Sequence, residues 1–323
     1  MHAMLDAPEG LAWEETPTPE GPAAGEVRLR VAWAGVNRAD LMQRAGHYPP
    51  PPGASPLLGL EVSGRVVEVG EDVTGLAPGQ RVCALLAGGG YAEQVVVDAR
   101  QVLPVPEGLD LRQAAALPEV FATAWLNLFM EGDLRPGERV LLHAGASGVG
   151  TAAIQLCRAF GHPCFVTLGS DAKLEACRAL GAEAGWNRHR GSFVEAVKAW
   201  GGADLILDPV GASYLADNQR VLNGDGRLVV IGFMGGRQAE LDFGRLLMKR
   251  QRLIGSTLRS RPPAEKGEIL GALQRRVWPL LTRGEIAPLI DRSWPIRDAA
   301  AAHEHVRADA NIGKVLLEVS GER

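Results

Sequence analysis

The chain has 323 residues, of which 46% are hydrophobic and 22% are charged. This globular composition, in a chain longer than one hydrophobic core usually grows, predicts about two domains. A net charge of −4 argues against a nucleic-acid partner, and no apolar run is long enough to span a membrane. The N-terminus lacks a basic and apolar leader and the four cysteines form no disulfide framework, so we expect a cytoplasmic protein.

The first hundred residues predict a β-rich domain. Residues 26–33 and 64–69 alternate polar and apolar side chains at period two, which is typical of half-buried strands. Between them lie a short helical stretch, 37–46, and a loop with four consecutive prolines, 49–52. Proline fits neither a helix interior nor a central strand. We therefore expect an irregular, antiparallel or partly closed barrel-like region.

From about residue 111 the pattern changes to alternating helices and strands. A helical run over 111–131 comes first, and the later predicted elements are strands at 139–143, 163–168, 203–207 and 227–231 and helices at 149–160, 171–180 and 213–222. Short apolar strands joined by helices predict a parallel sheet covered on both faces. A helix over 264–282 and a strand over 313–319 then rejoin the first region. The fold class is thus α/β: a doubly wound dinucleotide-binding domain, 113–261, inserted between two parts of a β-rich catalytic domain, 1–112 and 262–323.

A glycine-rich turn, residues 144–150, joins the strand at 139–143 to an amphipathic helix. In the dinucleotide fingerprint one glycine makes the tight turn, a second lets the backbone approach the pyrophosphate and a third packs helix on strand. Gly145 and Gly150 fit the first and third roles, and Ser147 stands where the second would be. The alternative is a bare tight turn in some other α/β protein. The helix N-terminus favours an anion, so we predict pyrophosphate contacts at Ser147, Gly148 and Val149.

The end of the second predicted strand favours NADPH over NADH. An NAD site places an acidic residue there for the ribose 2′-hydroxyl. In this chain Ser170 occupies the strand end, Asp171 follows one position too late, and Lys173 lies a turn into the helix. A hydroxyl and a cation suit a 2′-phosphate, to which Arg188 and Arg190 add charge. The alternative is that Lys173 is a solvated surface lysine.

Six stretches, spread nearly from end to end of the chain, carry a family resemblance: 37–44 (NRADLMQR), 48–55 (YPPPPGAS), 59–64 (GLEVSG), 143–152 (HAGASGVGTA), 205–208 (LILD) and 311–314 (NIGK). They resemble the zinc-independent quinone oxidoreductases of the medium-chain dehydrogenase/reductase superfamily, and the first and fourth are specific to that group. The resemblance implies a Rossmann domain beside a GroES-like catalytic domain. It also implies one-step hydride transfer from NADPH to a small-molecule quinone.

The same resemblance implies the site residues. Asn37, Tyr48 and Thr123 would line the nicotinamide end of the site, and Ser170 with Lys173 would hold the 2′-phosphate. Further cofactor contacts would come from Gly232, Phe233, Met234, Leu258 and Asn311. Arg188 departs from the family, which usually has a tyrosine at this position near the adenine phosphate, although an arginine can pair with that phosphate.

Chemical roles for these residues follow from their side chains, with an alternative for each. Tyr48 either donates a hydrogen bond or a proton to a quinone carbonyl, or packs on the proline run. Asn37 either holds the nicotinamide carboxamide or caps the next helix. We expect Asp40 to be the structural partner of an arginine rather than a catalytic group. Phe233 and Met234 either belong to the core or, as their position after a strand favours, line the ligand crevice.

The resemblance also requires a test for zinc, since the alcohol dehydrogenases of the superfamily bind it through a cysteine and a His–Glu pair. In this chain Asn37 stands at the cysteine position and Leu60 at the histidine position. Catalytic zinc needs three protein ligands, so we predict a metal-free enzyme. The doublet His303 and His305 is predicted to be solvated surface.

Three other functions compete with quinone reduction. An NADPH-dependent reductase of enals, enones or enoyl thioesters is the nearest, and a non-enzymatic NADPH-binding protein is the second. A methyltransferase is disfavoured because the β-rich region comes first and no acidic residue precedes Gly145. The family is commonly dimeric, and the apolar segment 253–255 is the predicted seam of a homodimer. The sequence does not identify which quinone is reduced.

Overall fold

The structure is a computed structural model that describes residues 1–7 and 10–320 of the chain. The chain divides into two units, one formed by Met1–Ala122 with Leu258–Arg323 and the other by Thr123–Thr257. The sequence-based domain boundaries, after 112 and after 261, stay predictions.

Fifteen strands and eleven helices have their bounds in the described residues. The strands are β1 (His2–Ala7), β2 (Gly10–Glu15), β3 (Glu26–Val36), β4 (Glu61–Val69), β5 (Arg81–Leu85), β6 (Gln94–Asp98), β7 (Val102–Pro104), β8 (Val140–His143), β9 (Cys164–Leu168), β10 (Ala184–Asn187), β11 (Ala203–Asp208), β12 (Leu222–Val230), β13 (Arg252–Gly255), β14 (Ile290–Pro295) and β15 (Lys314–Glu318). The helices are α1 (Arg38–Arg44), α2 (Leu111–Ala114), α3 (Pro118–Trp125), α4 (Gly148–Phe160), α5 (Asp171–Leu180), α6 (Val194–Trp200), α7 (Leu215–Val221), α8 (Phe243–Met248), α9 (Pro263–Arg276), α10 (Trp278–Thr282) and α11 (Ala299–Arg307).

The first unit is built on a seven-stranded sheet with strand β3 at its centre. The order is β14-β15-β3-β4-β5-β7, with β6 also pairing with β3, and every pair except β14–β15 is antiparallel. Alternate residues of β3, among them Val27, Leu29 and Val31, are fully buried. This is the burial that period-two patterning predicts, because successive strand side chains point to opposite faces.

The second unit is a six-stranded sheet whose pairs are all parallel, in the order β10-β9-β8-β11-β12-β13. From β8 the chain builds outward through β9 and β10, then returns to the other side of β8 and continues through β11 to β13. The order therefore reverses between β8 and β11, the point where sheets of this kind bind ligands. The predicted fold class, a Rossmann sheet with a GroES-like β-rich domain, is confirmed. Strand β10 and helix α6 were absent from the sequence prediction.

Two long predicted helices are broken in the structure, each at a proline. The run over 111–131 consists of α2, α3 and a π-helical turn at Leu126–Met130, and α3 begins at Pro118. The run over 264–282 consists of α9 and α10, with Pro279 in the first turn of α10. Proline has no N–H to donate within a helix and is tolerated in the first turn. Within residues 1–7 and 10–320, no helix has the length and apolar character to cross a membrane.

All four cysteines of the chain are buried and free. Cys83 lies in β5, Cys157 in α4, Cys164 in β9 and Cys177 in α5. Each side chain is at most 1% exposed, so the thiols are part of the packing of their units.

Candidate functional site

The glycine-rich turn of the second unit follows β8 directly. Two of its glycines, Gly145 and Gly150, have no room for a side chain. A Cβ added to Gly145 would lie 2.6 Å from the Val166 side chain. A Cβ added to Gly150 would lie 2.5 Å from the carbonyl oxygen of Gly145. Ala144 takes a positive φ of 54° to turn the chain out of the strand. The two glycines thus let α4 begin close behind the end of β8.

Ser147 is the N-cap of α4. Its Oγ accepts a hydrogen bond of 3.1 Å from the N–H of Gly150, which leaves the hydroxyl hydrogen able to donate. The N–H groups of Gly148 and Val149 have no acceptor in the part of the chain that the structure describes. Helix N-termini with unpaired N–H groups bind anions. The turn therefore fits the pyrophosphate of a dinucleotide cofactor.

The N-terminus of α5 is the place predicted for the 2′-phosphate. Ser170 caps this helix, its Oγ accepting from the N–H of Lys173 at 3.2 Å. The Asp171 carboxylate is already paired: it accepts hydrogen bonds from Asn187 at 3.1 Å and from Arg190 at 2.7 Å. These hydrogen bonds, that of Asn187 first, lower the pKa of Asp171.

Arg188 packs at the same end of the sheet. It opens the turn after β10, and its guanidinium lies 3.4 Å from where a Cβ on Gly169 would stand. Ser170, Lys173 and Arg188 thus all lie on the segments that directly follow β9 and β10. A hydroxyl and two cations are an arrangement that suits a phosphate group.

The loop with Gly232, Phe233 and Met234 follows β12 and packs on the loop that follows β11. The N–H of Met234 donates to the carbonyl of Pro209 at 3.3 Å. The Met234 side chain is 50% exposed, and the guanidinium of Arg237 lies 4.7 Å from the centre of the Phe233 ring. Both loops stand at the carboxyl edge of the sheet, which is the edge that also carries the glycine-rich turn.

Three further predicted cofactor residues lie on other elements of the chain. Thr123, on α3, accepts a hydrogen bond from Asn127 through its carbonyl at 2.7 Å. Leu258 is buried in the first unit, and Asn311 donates to the carbonyl of Gly313 at 2.8 Å just before β15.

A buried polar chain that the sequence did not predict supports the carboxyl edge of the second unit. His143, the last residue of β8, bonds to Thr167 Oγ1 at 2.8 Å and to Asn218 Oδ1 at 2.7 Å. Asn218 in turn donates to Asp208 at 3.0 Å, and Asp208 accepts from the N–H of Val210 at 2.6 Å. Burial lowers the pKa of His143. The chain ties the ends of β8, β9 and β11 together.

In the first unit, Asn37 belongs to a buried ion-pair cluster. The Lys314 ammonium pairs with Glu61 at 2.6 Å and donates to Asn37 Oδ1 at 2.8 Å. Asn37 Nδ2 donates to the same carboxylate oxygen, Glu61 Oε1, at 3.0 Å. Glu61 is fully buried, and its second oxygen accepts from the N–H of Glu119 at 2.9 Å.

This cluster does not fit zinc. The segments in which zinc-dependent members of the family carry ligands supply Asn37, Leu60 and Glu61, and the carboxylate is neutralised by Lys314. Thiolate and imidazole, the ligands that zinc prefers, are missing from this set. Across residues 1–7 and 10–320, no group of three or more His, Cys, Asp or Glu is placed to hold a metal ion.

The structure corrects the prediction for His303 and refines that for Asp40. Arg259 acts on Asp40 only through its charge, and no arginine is bonded to Asp40 among the described residues. Its fully buried carboxylate accepts from the N–H groups of Asn37 at 2.8 Å and Gly59 at 3.0 Å and from the Tyr91 hydroxyl at 3.4 Å. The bond from Asn37 caps α1. Burial raises the pKa of Asp40 to about 6. His303 is buried rather than solvated, with Nε2 3.1 Å from the Tyr91 hydroxyl.

The position of His303 follows from the face of α11 on which it lies. Ala299, Ala302 and Val306 are all buried and recur at helical spacing around it. His305 points to the other side and pairs with Asp291 at 2.7 Å. The apolar spacing was the signal that the sequence reading missed.

Tyr48 lies beside Arg259, an arginine that was not predicted from the sequence. Arg259 is 3% exposed and donates to the carbonyls of Ala87 at 2.9 Å and Tyr48 at 3.2 Å and to Gln43 Oε1 at 2.6 Å. Its guanidinium lies 5.2 Å from the centre of the Tyr48 ring. Burial, and then the neighbouring Glu119, raise the pKa of Tyr48, so the phenol stays protonated at neutral pH.

Glu119 and Lys266 are two further ionisable groups of this unit. Glu119 Oε2 is buried and has no hydrogen-bond partner in the described part of the chain, although the charge of Glu119 acts on Tyr48 and Arg259. Lys266, on α9, is 2% exposed, and no hydrogen bond or ion pair of its ammonium occurs among the residues described. Burial, then the charge of Glu61, raise the pKa of Glu119 to about 8, and burial lowers the pKa of Lys266.

Two family models match the chain. An alcohol dehydrogenase GroES-like domain matches residues 23–107, and a zinc-binding dehydrogenase domain matches residues 148–275. The chain is 34% identical to the synaptic vesicle membrane protein VAT-1 homolog of Rattus norvegicus over 321 residues, which cover 94% of this chain and 80% of that protein. It is 37% identical to the polyketide synthase GfsB of Streptomyces halstedii, over 91% of this chain but only 5% of that much longer protein.

Solved structures of two oxidoreductases are also similar to this chain over nearly its whole length. The quinone oxidoreductase from Thermus thermophilus, also crystallised with NADPH, is 34% identical with a TM-score of 0.83 over 99% of this chain and all of that one. The CurK enoyl reductase is 26% identical with a TM-score of 0.85 over 99% of both chains.

Proposed function

Because the chain belongs to the medium-chain dehydrogenase/reductase superfamily of nicotinamide-dependent oxidoreductases, we propose that it reduces quinones with NADPH by direct, metal-free hydride transfer. The main support is the buried cluster of Asn37, Glu61 and Lys314. Asn37 and Glu61 lie in the segments that bear zinc ligands elsewhere in the superfamily, and Lys314 pairs with the carboxylate. A quinone accepts hydride without a Lewis acid, whereas alcohol oxidation of the zinc-dependent kind needs one. The likeness to a quinone oxidoreductase agrees with this substrate class.

The second unit would hold the cofactor. When bound, NADPH supplies the hydride. The N-terminus of α4 and Ser147 would bind the pyrophosphate. Ser170, Lys173 and Arg188 would bind the 2′-phosphate, and the paired state of Asp171 removes the carboxylate that an NADH site would use.

The first unit would orient the substrate. The Tyr48 phenol, kept protonated by burial, would donate a hydrogen bond to a quinone carbonyl. The Arg259 guanidinium, fixed by three acceptors, would stabilise the negative charge that develops on the same oxygen. Fixed donors of this kind stabilise a transition state without reorganising.

The second candidate is an NADPH-dependent reductase of activated double bonds, in enals, enones or enoyl thioesters. The likeness to the CurK enoyl reductase favours it. The same Tyr48 and Arg259 donors would then bind the carbonyl conjugated to the reduced bond.

We also propose that the protein works as a cytoplasmic homodimer without nucleic-acid or membrane partners. Strand β13, which contains the predicted seam 253–255, is the last strand of its sheet. The nearby helix α8 exposes three large apolar side chains, 72% to 78% accessible: Phe243, Leu247 and Met248. A sheet edge beside an apolar patch is a typical self-association surface.

The test is steady-state NADPH oxidation with duroquinone and, separately, with trans-2-hexenal. Quinone reduction predicts the larger kcat/KM for duroquinone with NADPH as the better cofactor. Ser147→Glu, which places a carboxylate against the pyrophosphate, should abolish turnover, and Thr74→Glu at an exposed position should not. Preference for hexenal would replace the proposal with the second candidate, and turnover that survives Ser147→Glu would reject the cofactor site.

A further inference from the structure

Glu119 and Lys266 are an acid and a base on different elements of the first unit, and the described residues offer no hydrogen-bond partner to the buried Glu119 Oε2. Lys266 is 2% exposed. Glu119 lies in the first turn of α3 and Lys266 in the first turn of α9. Each affects the ionisation of the other, yet no hydrogen bond or ion pair joins them within the described structure. Native proteins satisfy nearly all buried polar atoms, so a buried carboxylate oxygen without a partner calls for an explanation, of which a catalytic role is one.

The neighbours of this pair are the groups already assigned to the substrate. Tyr48 and Arg259 both interact with Glu119, and Arg259 also interacts with Lys266. Arg259 is itself fixed by three acceptors. The charge of Glu119 therefore acts on both donors that would bind a substrate carbonyl.

We propose that the Glu119 carboxyl group is the proton donor of the reaction, an inference that rests on the proposed function, and that Lys266 stabilises the carboxylate left behind. Reduction of a quinone adds one hydride and one proton. The hydride comes from the reduced nicotinamide that the proposed function supplies. The hydroquinone O–H bond forms as the Glu119 O–H bond breaks, and solvent returns the proton to Glu119 before the next turnover.

The protonation state of Glu119 at neutral pH agrees with this role. Its pKa is raised to about 8 by burial and by Glu61, so the group holds a proton in the range where a general acid works best. The ionisable groups around it come from several elements: Glu61 on β4, Asp40 on α1, Lys314 on β15, Lys266 on α9, and Tyr48 and Arg259 in loops. Once Glu119 has given up its proton, the lysines and the arginine compensate its charge.

The decisive variants are Glu119→Gln, which keeps the shape but has no acidic proton, and Lys266→Met, which removes the cation. Glu268→Gln, an exposed acid on α9, is the matched control. We expect Glu119→Gln to lower kcat by about 10²- to 10⁴-fold, the usual contribution of a general acid, and to abolish the fall of kcat above pH 8. We expect Lys266→Met to move that fall to higher pH, because the lysine lowers the pKa of Glu119.

Two measurements that need no turnover distinguish a purely structural role of Glu119 from the proposed role as proton donor. The NADPH dissociation constant and the unfolding midpoint of Glu119→Gln should match those of Glu268→Gln. Infrared difference spectra should show a protonated-carboxyl band that titrates near pH 8 in the wild type and is missing from Glu119→Gln.

The outcomes distinguish this inference from the proposed function. If the wild type reduces trans-2-hexenal but not duroquinone, the quinone assignment fails and the variants are compared on the enal, where the same proton is required. If Glu119→Gln keeps the wild-type kcat and pH profile on the accepted substrate, the inference fails while the reductase function stands. No turnover with either acceptor would overturn both.

Discussion

At the scale of single residues, the proposed preference for NADPH over NADH rests on the short segment that follows β9. Lys173→Ala should weaken NADPH binding by about 1–3 kcal/mol, the size of a hydrogen bond to a charged group. NADH binding should stay nearly unchanged, because NADH has no 2′-phosphate. Fluorescence titration of both cofactors measures the difference. Lys198→Ala, at an exposed lysine paired with Glu195, is the control, and an equal loss for the two cofactors would reject the assignment.

The buried His303 makes the free energy of unfolding depend on pH. Arg44 can only donate to its Nδ1, at 3.4 Å, so Nε2 bears the proton shared with Tyr91 and the ring is neutral. Burial lowers the pKa of His303 from 6.5 to about 3. Below pH 6.5 the unfolded state therefore binds a proton that the folded state does not, and this contribution to stability falls as the pH falls.

The corresponding prediction concerns His303→Gln. The variant should be less stable than the wild type at pH 7.5, because hydrogen bonds to Tyr91 and Arg44 are weakened. Its deficit should shrink by roughly 2–3 kcal/mol at pH 4.5, at about 1.4 kcal/mol per pH unit. Urea unfolding at the two pH values measures this. The exposed His189→Gln is measured beside it as the control, and a deficit of His303→Gln that is equal at the two pH values would contradict the neutral buried ring.

The sequence predicts residues whose role is local and misses those whose partners are distant. Ser147 and Ser170 were selected because the turn that contains each one lies within a few residues. Lys314 bonds to Asn37 across 277 positions, and the neighbours of Glu119 and Lys266 come from several elements. No spacing rule connects such groups, so this cluster becomes visible only in the folded chain.

At the scale of elements, the close approach of α4 to β8 depends on Gly150, which has no side chain. Gly150→Ala should destabilise the protein by about 1–3 kcal/mol, because the new methyl group meets the Gly145 carbonyl at 2.5 Å and backbone cannot yield. Gly224→Ala is the matched control, since its Cβ would have no neighbour closer than 4.0 Å. Urea midpoints compare the two, and equal midpoints would show that the turn can relax.

Strongly patterned elements were predictable and short ones were not. The helix at 171–180 agrees with α5, and the strand at 139–143 with β8. Strand β10 has only four residues, all half-buried, and two of them are Gly185 and Asn187, which disfavour strands. The breaks at Pro118 and Pro279 were signalled in the sequence, but helical periodicity continues across both prolines and concealed them.

At the scale of the whole molecule, the exposed apolar surface of α8 and β13 predicts the oligomeric state. Leu247→Glu should convert the proposed dimer to a monomer, because it places a charge in the apolar patch. Light scattering at micromolar concentration measures the mass. Val67→Glu, at a hydrophobic residue exposed on β4 of the other unit, should leave the dimer intact. A wild type that is monomeric under these conditions would reject the dimer itself.

The four buried cysteines bear on how such a protein withstands its proposed substrates. Burial raises the pKa of Cys83 and, to about 12, that of Cys177, and a hydrogen bond between Cys157 and Cys164 raises the pKa of Cys157. Thiolates are the reactive form, so intact-mass spectra after incubation with 1,4-benzoquinone should show no cysteine adduct unless denaturant is added. If quinones are its substrates, buried thiols of this kind would let the protein turn over many molecules of an electrophile without being arylated itself.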